Sequence, residues 1–268
     1  MLFDRLKKIS EKDNNLLKNN LPKFLIIGAQ KAGTTSLYHY LSQHPKIIPP
    51  KNRKEINYFE KRYFSKSLRW YKSQFFSSNT NSYNFEASTN YLFFPWSPKH
   101  VFETIPHCKI IILLREPKSR AWSHYKHQIR SNEEKLSFFK ALEREILLLD
   151  EIEKKIIADP KYFNKSYRNY SYLRRGLYYK QLKNWNKFFE RERIFISSTD
   201  EFVENPIKKC NEIFEFLELE KFSINPSVIY NKSSINDTPP KESIELMKNY
   251  FFEPNKLLFN YLSKNFNW

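Results

Sequence analysis

Glycine is far rarer in this 268-residue sequence than in an average protein. There are three glycines: Gly28, Gly33 and Gly176. An average composition of ~7% would give about nineteen. Because glycine fits where a Cβ atom would clash or where φ must be positive, a chain that uses it so rarely is expected to keep it at such places. Two of the three lie close together, so the stretch 28–36 is the first place to look for a specialised turn.

Cysteine and long apolar runs are scarce as well. Two cysteines, Cys108 and Cys210, are too few for a disulfide framework or a cysteine-based zinc site, and we expect both to be reduced and buried. No apolar run reaches the ~18 residues that cross a bilayer, and the first residues lack a signal-peptide core. These absences predict a soluble, cytoplasmic protein without a transmembrane segment, and they leave the number of subunits open.

Positive charge is what the sequence has in excess, with a net charge of +17 at pH 7. Such a charge favours anionic partners: a nucleotide, an anionic glycan, a membrane surface or a nucleic acid. The basic residues are scattered along the chain instead of gathered in one segment. We therefore expect no specific nucleic-acid partner, while peripheral contact with a membrane stays open.

The order of apolar and polar segments predicts one α/β domain over 21–268, preceded by a charged extension over 1–20. Apolar runs predict strands at 23–27, 84–87, 109–114 and 193–197. The run 109–114 is typical of a parallel strand buried on both faces. Helices are expected at 34–42, 66–76, 117–131, 133–160, 172–190 and 205–217, with terminal helices in 218–268, and 46–64 is expected to be loop. The pattern favours a central parallel β-sheet flanked by helices.

The stretch 28–36 nearly matches the phosphate-loop pattern G-x-x-x-x-G-K-[ST]. Its glycine spacing and Thr35 fit, but Thr34 stands where the pattern has lysine, and Lys31 supplies an ammonium group earlier in the loop. Backbone N–H groups and a helix N-terminus would still face an anion there. The strongest predicted strand ends in Arg115 instead of an aspartate. This argues against a magnesium-dependent NTPase and favours the binding of an additional phosphate.

Several segments resemble motifs of the sulfotransferases that use 3′-phosphoadenosine 5′-phosphosulfate (PAPS), especially the heparan-sulfate and bacterial carbohydrate types. The segments are 22–37, 54–59, 113–125, 175–178 and 200–206. The first and third of them are the most specific. The resemblance extends over about residues 22–240. It implies a five-stranded parallel sheet of the P-loop nucleoside triphosphate hydrolase type.

The resemblance also implies roles for individual residues. Lys31 would stabilise the oxygen that bridges phosphate and sulfate, and Glu55 would be the general base that takes a proton from an acceptor hydroxyl. The residues that would hold the nucleotide are Lys31, Ala32, Gly33, Thr34, Thr35, Ser36, Arg115, Ser123, Tyr230, Lys232 and Ser233. The product would be adenosine 3′,5′-bisphosphate (PAP), no metal would be required, and the acceptor hydroxyl would belong to a carbohydrate or glycolipid.

Some features depart from that family. Glu86 is followed by Ala87, where heparan-type enzymes often carry lysine, and 230–234 lacks the glycine of their late cofactor loop. By composition alone, Glu55 reads as a solvated residue of a basic loop, and only the motif makes it a base. Histidines offer other candidate bases, but we expect packing or surface roles for them: His107, His124 and His127.

Two other interpretations of the chain stay open at this point. The first is an atypical P-loop kinase, which would require Mg²⁺ and ATP. The second is a non-catalytic module that binds polyanions through its net charge, with salt-sensitive and nucleotide-insensitive affinity.

Overall fold

The computed structural model describes residues 20–60, 66–77, 82–159, 162–226 and 238–268. In these residues the chain forms a five-stranded sheet with the order β2-β3-β1-β4-β5, and every strand pair is parallel. The strands are β1 Phe24–Gly28, β2 Ile47–Ile48, β3 Tyr83–Glu86, β4 Lys109–Leu114 and β5 Ile194–Ser198. The predicted α/β class with a central parallel sheet is confirmed.

Helices fill the connections between the strands and the C-terminal part of the chain. They are α1 Thr34–Leu41, α2 Leu68–Ser73, α3 Ser97–Thr104, α4 Pro117–Arg130, α5 Phe138–Ala158, α6 Lys165–Asn169, α7 Tyr178–Trp185, α8 Thr199–Glu204, α9 Pro206–Phe216 and α10 Lys241–Leu262. Helix α4 begins at Pro117, as predicted, because a proline at the first helical position loses no intrahelical hydrogen bond. None of the described helices is long and apolar enough to cross a membrane.

The two inner strands bring the candidate residues together. All five residues of β1 are buried, and so are the last five of β4, as expected of strands covered on both faces. The two strands run parallel, with Leu25 beside Ile110 and, after a one-residue shift of register beyond Ile26, Gly28 beside Ile112. Parallel strands end at the same edge of a sheet, so the loop after β1 and Arg115 after β4 lie side by side.

Some predicted boundaries differ from the observed ones. The segment 46–64, expected to be loop, contains the two-residue strand β2, which pairs with β3. So short an edge strand carries no periodic pattern. Helix α7 begins at Tyr178 instead of 172, because a 3₁₀ turn at Arg174–Gly176 precedes it. Where terminal helices were expected, the described residues 218–226 and 238–268 contain one helix, α10, with Pro254 inside it. The predicted extension 1–20 falls, except for Asn20, outside the described residues.

Both cysteines are free and buried, as predicted. Cys108 precedes β4, and burial raises the pKa of its thiol far above the usual range. Cys210 lies inside α9, where burial raises the pKa of its thiol to about 12. Thiols with such values stay protonated at neutral pH and are poor nucleophiles. They belong to the packing of the domain.

Candidate functional site

The turn between β1 and α1 depends on its two glycines. A Cβ atom on Gly28 would lie 2.8 Å from the Leu92 side chain, a distance that real Cβ atoms do not adopt. Gly33 has a φ of +86°, in the left-handed region where other residues are strained. The expectation that this chain keeps glycine for such positions is confirmed at both. Lys31 also has a positive φ, 69°, without being glycine, and this costs of the order of 1–2 kcal/mol.

The start of α1 is open to an anion. Gly33 is its N-cap and has no side chain to accept a hydrogen bond, so the first turn carries no side-chain cap. The hydroxyl-bearing residues Thr34, Thr35 and Ser36 form that turn. Uncapped N–H groups and the positive end of the helix dipole together attract phosphate or sulfate groups.

Residues from other elements hold this loop in place. The Thr199 hydroxyl, at the start of α8, lies 2.8 Å from the carbonyl oxygen of Ala32 and 3.1 Å from that of Leu114. The Arg115 guanidinium donates from Nη1 to the carbonyl oxygen of Lys31 at 3.1 Å. These bonds join the loop to the carboxyl end of β4, so the two segments form one rigid unit.

Arg115 and Ser123, the residues predicted to bind the 3′-phosphate, lie at the end of β4 and on the helix that follows it. Arg115 follows β4 directly and its own carbonyl accepts a hydrogen bond from the Tyr178 hydroxyl at 2.8 Å. Burial lowers the pKa of its guanidinium, which nevertheless stays charged because arginine starts so high. Ser123 lies on α4, the helix that follows Arg115, and is half-buried.

Lys31 lies in a cluster of positive charges. Burial lowers the pKa of its ammonium most, and together with the neighbouring charges of Arg130, Arg115, Lys54 and Arg120 it brings the value to about 8. Arg120 is completely buried, and its Nε and Nη1 have no hydrogen-bond partner among the described residues. Like charges held together in a partly buried site favour a polyanion strongly. The donor set of this site fits a nucleotide with several phosphate groups.

Glu55 is linked to the phosphate loop through its neighbour Lys54, although the loop lies about twenty residues earlier in the chain. Its Oε1 accepts from the Thr89 hydroxyl at 3.2 Å and lies 3.8 Å from Nζ of Lys54. Lys54 Nζ in turn donates to the Thr35 hydroxyl at 3.0 Å. The structure thus brings the predicted base and the predicted anion loop into one site.

The segment that carries Glu55 is held by a buried carboxylate, Glu86, at the end of β3. Glu86 accepts from the hydroxyls of Tyr71 at 2.7 Å and Tyr91 at 3.0 Å, from the N–H of Ile56 at 3.2 Å, and from the hydroxyl of Ser88. Burial raises the pKa of Glu86, and the four donors oppose that effect. A buried carboxylate with this many donors fixes the position of residues 54–57.

The histidines take packing positions or stay neutral. His124 is buried with its ring edge against Tyr172, which confirms the packing role predicted for it. Burial and then Arg120 hold the pKa of its imidazole well below the usual value. Burial, and then the positive charges of Lys31 and Arg130, lower the pKa of the His127 imidazole. Both rings are therefore neutral at pH 7.

The sequence matches the Sulfotransferase domain family over residues 21–249. The chain belongs to the sulfotransferase family. A similar protein in this family is the bifunctional heparan sulfate N-deacetylase/N-sulfotransferase of Drosophila melanogaster, 31% identical over 81% of this chain and 21% of the fly protein. Another is the heparan sulfate glucosamine 3-O-sulfotransferase 5 of Mus musculus, 24% identical over 94% of this chain and 75% of the mouse protein. The chain thus spans about a fifth of the length of the first of these relatives.

A solved sulfotransferase structure has the same fold. The sulfotransferase from Alicyclobacillus acidocaldarius superposes with a TM-score of 0.76 and 27% sequence identity, over 92% of this chain and 97% of the other. This likeness confirms the fold that the sequence motifs imply for this sulfotransferase.

Three residues of the sulfotransferase site have no place in the sequence-based set of candidates. They are Lys54, Thr89 and Thr199, which contact Glu55, the loop hydroxyls or the loop backbone. Lys54 belongs to the sequence motif that carries Glu55, so that motif could have identified it as a site residue. No sequence motif marks the two threonines. Tyr230, Lys232 and Ser233 lie outside the described residues. Among the residues that are described, no group of histidine, cysteine and acidic side chains is arranged to hold a metal ion.

Proposed function

We propose that this chain transfers the sulfuryl group of PAPS to a hydroxyl group of a carbohydrate or glycolipid and releases PAP. One observation carries the proposal: Lys31 and its cationic neighbours surround the start of α1, and one of those neighbours, Lys54, joins Thr35 of that turn to Glu55. The relatives named for heparan sulfate support a carbohydrate acceptor. In this proposal 21–268 is the catalytic domain and 1–20 a charged extension.

The nucleotide's two phosphate groups have separate partners in the proposal. The 5′-phosphate takes hydrogen bonds from the first turn of α1 and from the residues before it, which are Lys31, Ala32, Gly33, Thr34, Thr35 and Ser36. The 3′-phosphate takes a charge-assisted fork from Arg115 and a hydroxyl bond from Ser123, together worth roughly 1.5–3 kcal/mol or more. We assign Tyr230, Lys232 and Ser233 to the remaining side of the nucleotide.

The chemistry needs one base and one cation at the sulfated end. PAPS supplies an activated sulfuryl group. Glu55 takes the proton of the acceptor hydroxyl while the acceptor oxygen bonds to sulfur. As the bond between sulfur and the bridging oxygen breaks, Lys31 donates to that oxygen, where negative charge develops. Ammonium, guanidinium and helix N–H groups provide the positive charge, so the proposal includes no metal ion.

A thermal-shift titration separates this proposal from a P-loop kinase. We expect PAP, in EDTA, to raise the melting temperature, because a ligand at 100 times its Kd adds about 2.7 kcal/mol to the free energy of unfolding. Mg·ATP at the same concentration is expected to have little effect. Stabilisation by Mg·ATP and none by PAP would favour the kinase and contradict the proposal.

A heparin-binding assay tests the alternative that the chain is a polyanion-binding module. If the chain were a non-catalytic module, heparin affinity would fall steeply with salt and PAP would not stabilise the fold.

Mass spectrometry can identify the acceptor. Incubation with PAPS and a panel of glycans and glycolipids should add one sulfuryl group to the true acceptor. Hydroxyl and amino acceptors in the same panel distinguish O- from N-sulfation.

A further inference from the structure

Lys54 joins the two parts of the site. Its Nζ donates to the hydroxyls of Thr35 at 3.0 Å and Thr34 at 3.4 Å, and lies 3.8 Å from Oε1 of Glu55. A threonine hydroxyl that accepts from an ammonium keeps its own hydrogen for another partner. Lys54 therefore leaves both hydroxyls free to donate to an anion in the loop.

The ammonium of Lys54 is only partly compensated where it lies. Its side chain is 18% exposed, and removing a cation from water is costly unless it is well paired. Two of its contacts are neutral hydroxyls, and 3.8 Å to Glu55 is longer than a charge-assisted hydrogen bond. The ammonium thus retains donor capacity for an anion. Burial lowers its pKa and Glu55 opposes this effect.

The backbone fixes this position from the other side. The carbonyl oxygen of Lys54 accepts from the N–H of Ala87 at 3.1 Å, directly after β3. Ala87 is buried and carries no charge, so on this side of the site the ammonium comes from Lys54. Lys54 contacts the hydroxyls of the loop that carries Lys31 and is one of the cations that lower the pKa of Lys31.

We propose that Lys54 is a second ammonium of the reaction centre and donates to the non-bridging oxygens of the sulfuryl group being transferred. This inference rests on the proposed function. Lys31 then donates to the bridging oxygen. Lys54, which lies between the loop and the base Glu55, donates to the sulfuryl oxygens. Lys54 forms and breaks no covalent bond, and the acceptor's proton still goes to Glu55.

Comparison of the sulfated and the unsulfated nucleotide tests this role. Lys54→Met keeps the aliphatic stem and removes the ammonium. Because PAP lacks the sulfuryl group, we expect PAPS affinity to fall about 10- to 100-fold, as for loss of one charge-assisted hydrogen bond, and PAP affinity to change little. Isothermal titration calorimetry at low temperature, without acceptor, measures both. Lys54→Gln is the second variant if Lys54→Met does not fold.

The controls separate failure of this role from failure of the proposed function. Lys51→Met removes an exposed positive charge from the same loop and should leave both affinities unchanged. Equal losses of PAPS and PAP affinity in Lys54→Met would mean that Lys54 acts only through the threonine hydroxyls on the 5′-phosphate, and the proposal would be wrong. If the unaltered protein bound neither nucleotide, the proposed function itself would fall, and this role with it.

Discussion

The two halves of the site are stabilised in opposite ways. The donor half, made of the loop 28–36 and Arg115, gathers cations around Lys31 and includes two backbone positions with positive φ. The base half, made of 54–57 and the end of β3, is built around Glu86, whose charge is matched by four donors. The donor half thus contains backbone strain and cations that repel one another. In the base half, by contrast, the buried carboxylate already has its hydrogen-bond donors.

The difference indicates where stability has been given up for binding. Strain and clustered like charge persist at a site only where the rest of the fold holds them, and they favour a ligand that relieves them. A polyanionic nucleotide would relieve the donor half. We therefore expect changes in the donor half to alter nucleotide affinity, and changes in the base half to alter turnover or folding.

The largest expected effect tests the base half. In Glu55→Gln, turnover should fall about 10²- to 10⁴-fold, since no group takes the acceptor's proton. PAP affinity should stay unchanged, because Glu55 lies outside the donor half. Steady-state sulfation rates and PAP calorimetry measure the two quantities. Intact turnover in Glu55→Gln would show that another group is the base.

Lys31→Met should lower turnover about 10²- to 10³-fold and yet stabilise the free protein. The pKa of Lys31 in the folded state, about 8, lies below the usual 10.5, so the folded state holds that proton less tightly than the unfolded state. The charged lysine therefore costs stability below pH 8, and this cost disappears as the pH rises towards 10.5.

Because Lys31 is partly exposed, we expect a gain on the order of 1 kcal/mol at pH 7, or about 2–4 °C in melting temperature. Calorimetry of the ligand-free protein measures it. Lys51→Met, which removes an exposed charge outside the site, is the matched control. A lower melting temperature in Lys31→Met than in that control would contradict the inference that repulsion among the cations of the donor half lowers stability.

Arg115→Met should weaken PAP binding about 10- to 100-fold, because the 3′-phosphate loses its guanidinium partner. Adenosine 5′-phosphosulfate, which has no 3′-phosphate, should bind the variant and the unaltered protein alike. Competition binding with the two nucleotides measures this. An equal loss for both would mean that Arg115 acts only by holding the backbone of Lys31.

Nucleotide affinity should fall as the pH rises above about 8, the pKa of Lys31 in the free protein. Loss of one ammonium proton lowers affinity by at most about tenfold per pH unit. The Lys31→Arg variant, whose side chain stays protonated, should show no such fall between pH 7 and 9. A decline of the same size in Lys31→Arg would assign the titration to another group.

The smallest effect concerns the scaffold of the base half. Tyr71→Phe removes one of the four donors to Glu86 and should lower the free energy of unfolding by about 1–2 kcal/mol, with PAP affinity unchanged. Urea unfolding measures it. Tyr83→Phe, at the start of β3 and outside this network, is the control. Equal losses in both variants would mean that the Glu86 network adds no special stability.

Local sequence was enough for the parts of the site that depend on neighbouring residues. The strand before Gly28, the turn at Gly33 and the helix after it follow one another along the chain, and their patterns predicted them. Lys31 and Glu55 were assigned to one site by resemblance to a family, and in the structure Lys54, the neighbour of Glu55, contacts Thr35 of the loop that carries Lys31. Their catalytic roles stay predictions.

Contacts between distant segments could not be inferred in this way. Nothing in the sequence around Thr199 indicates that it holds the loop at Ala32, which is 167 residues away. Two of the four donors to Glu86, Tyr71 and the N–H of Ile56, come from other segments, and their meeting with it depends on how α2 and the loop 54–57 pack against β3. The start of α7 was also misplaced, because a 3₁₀ turn interrupts an apolar pattern that continues through it.

The amino-acid order alone thus specifies an anion-binding turn and the strands that flank it, since glycine placement and apolar runs act over a few residues. Packing buries Lys31 among other cations and so lowers the pKa of its ammonium. It also brings Lys54 between that turn and Glu55. Burial and the sum of neighbouring charges arise only when β1, β3 and β4 align in one sheet. The chemistry of the site depends on both.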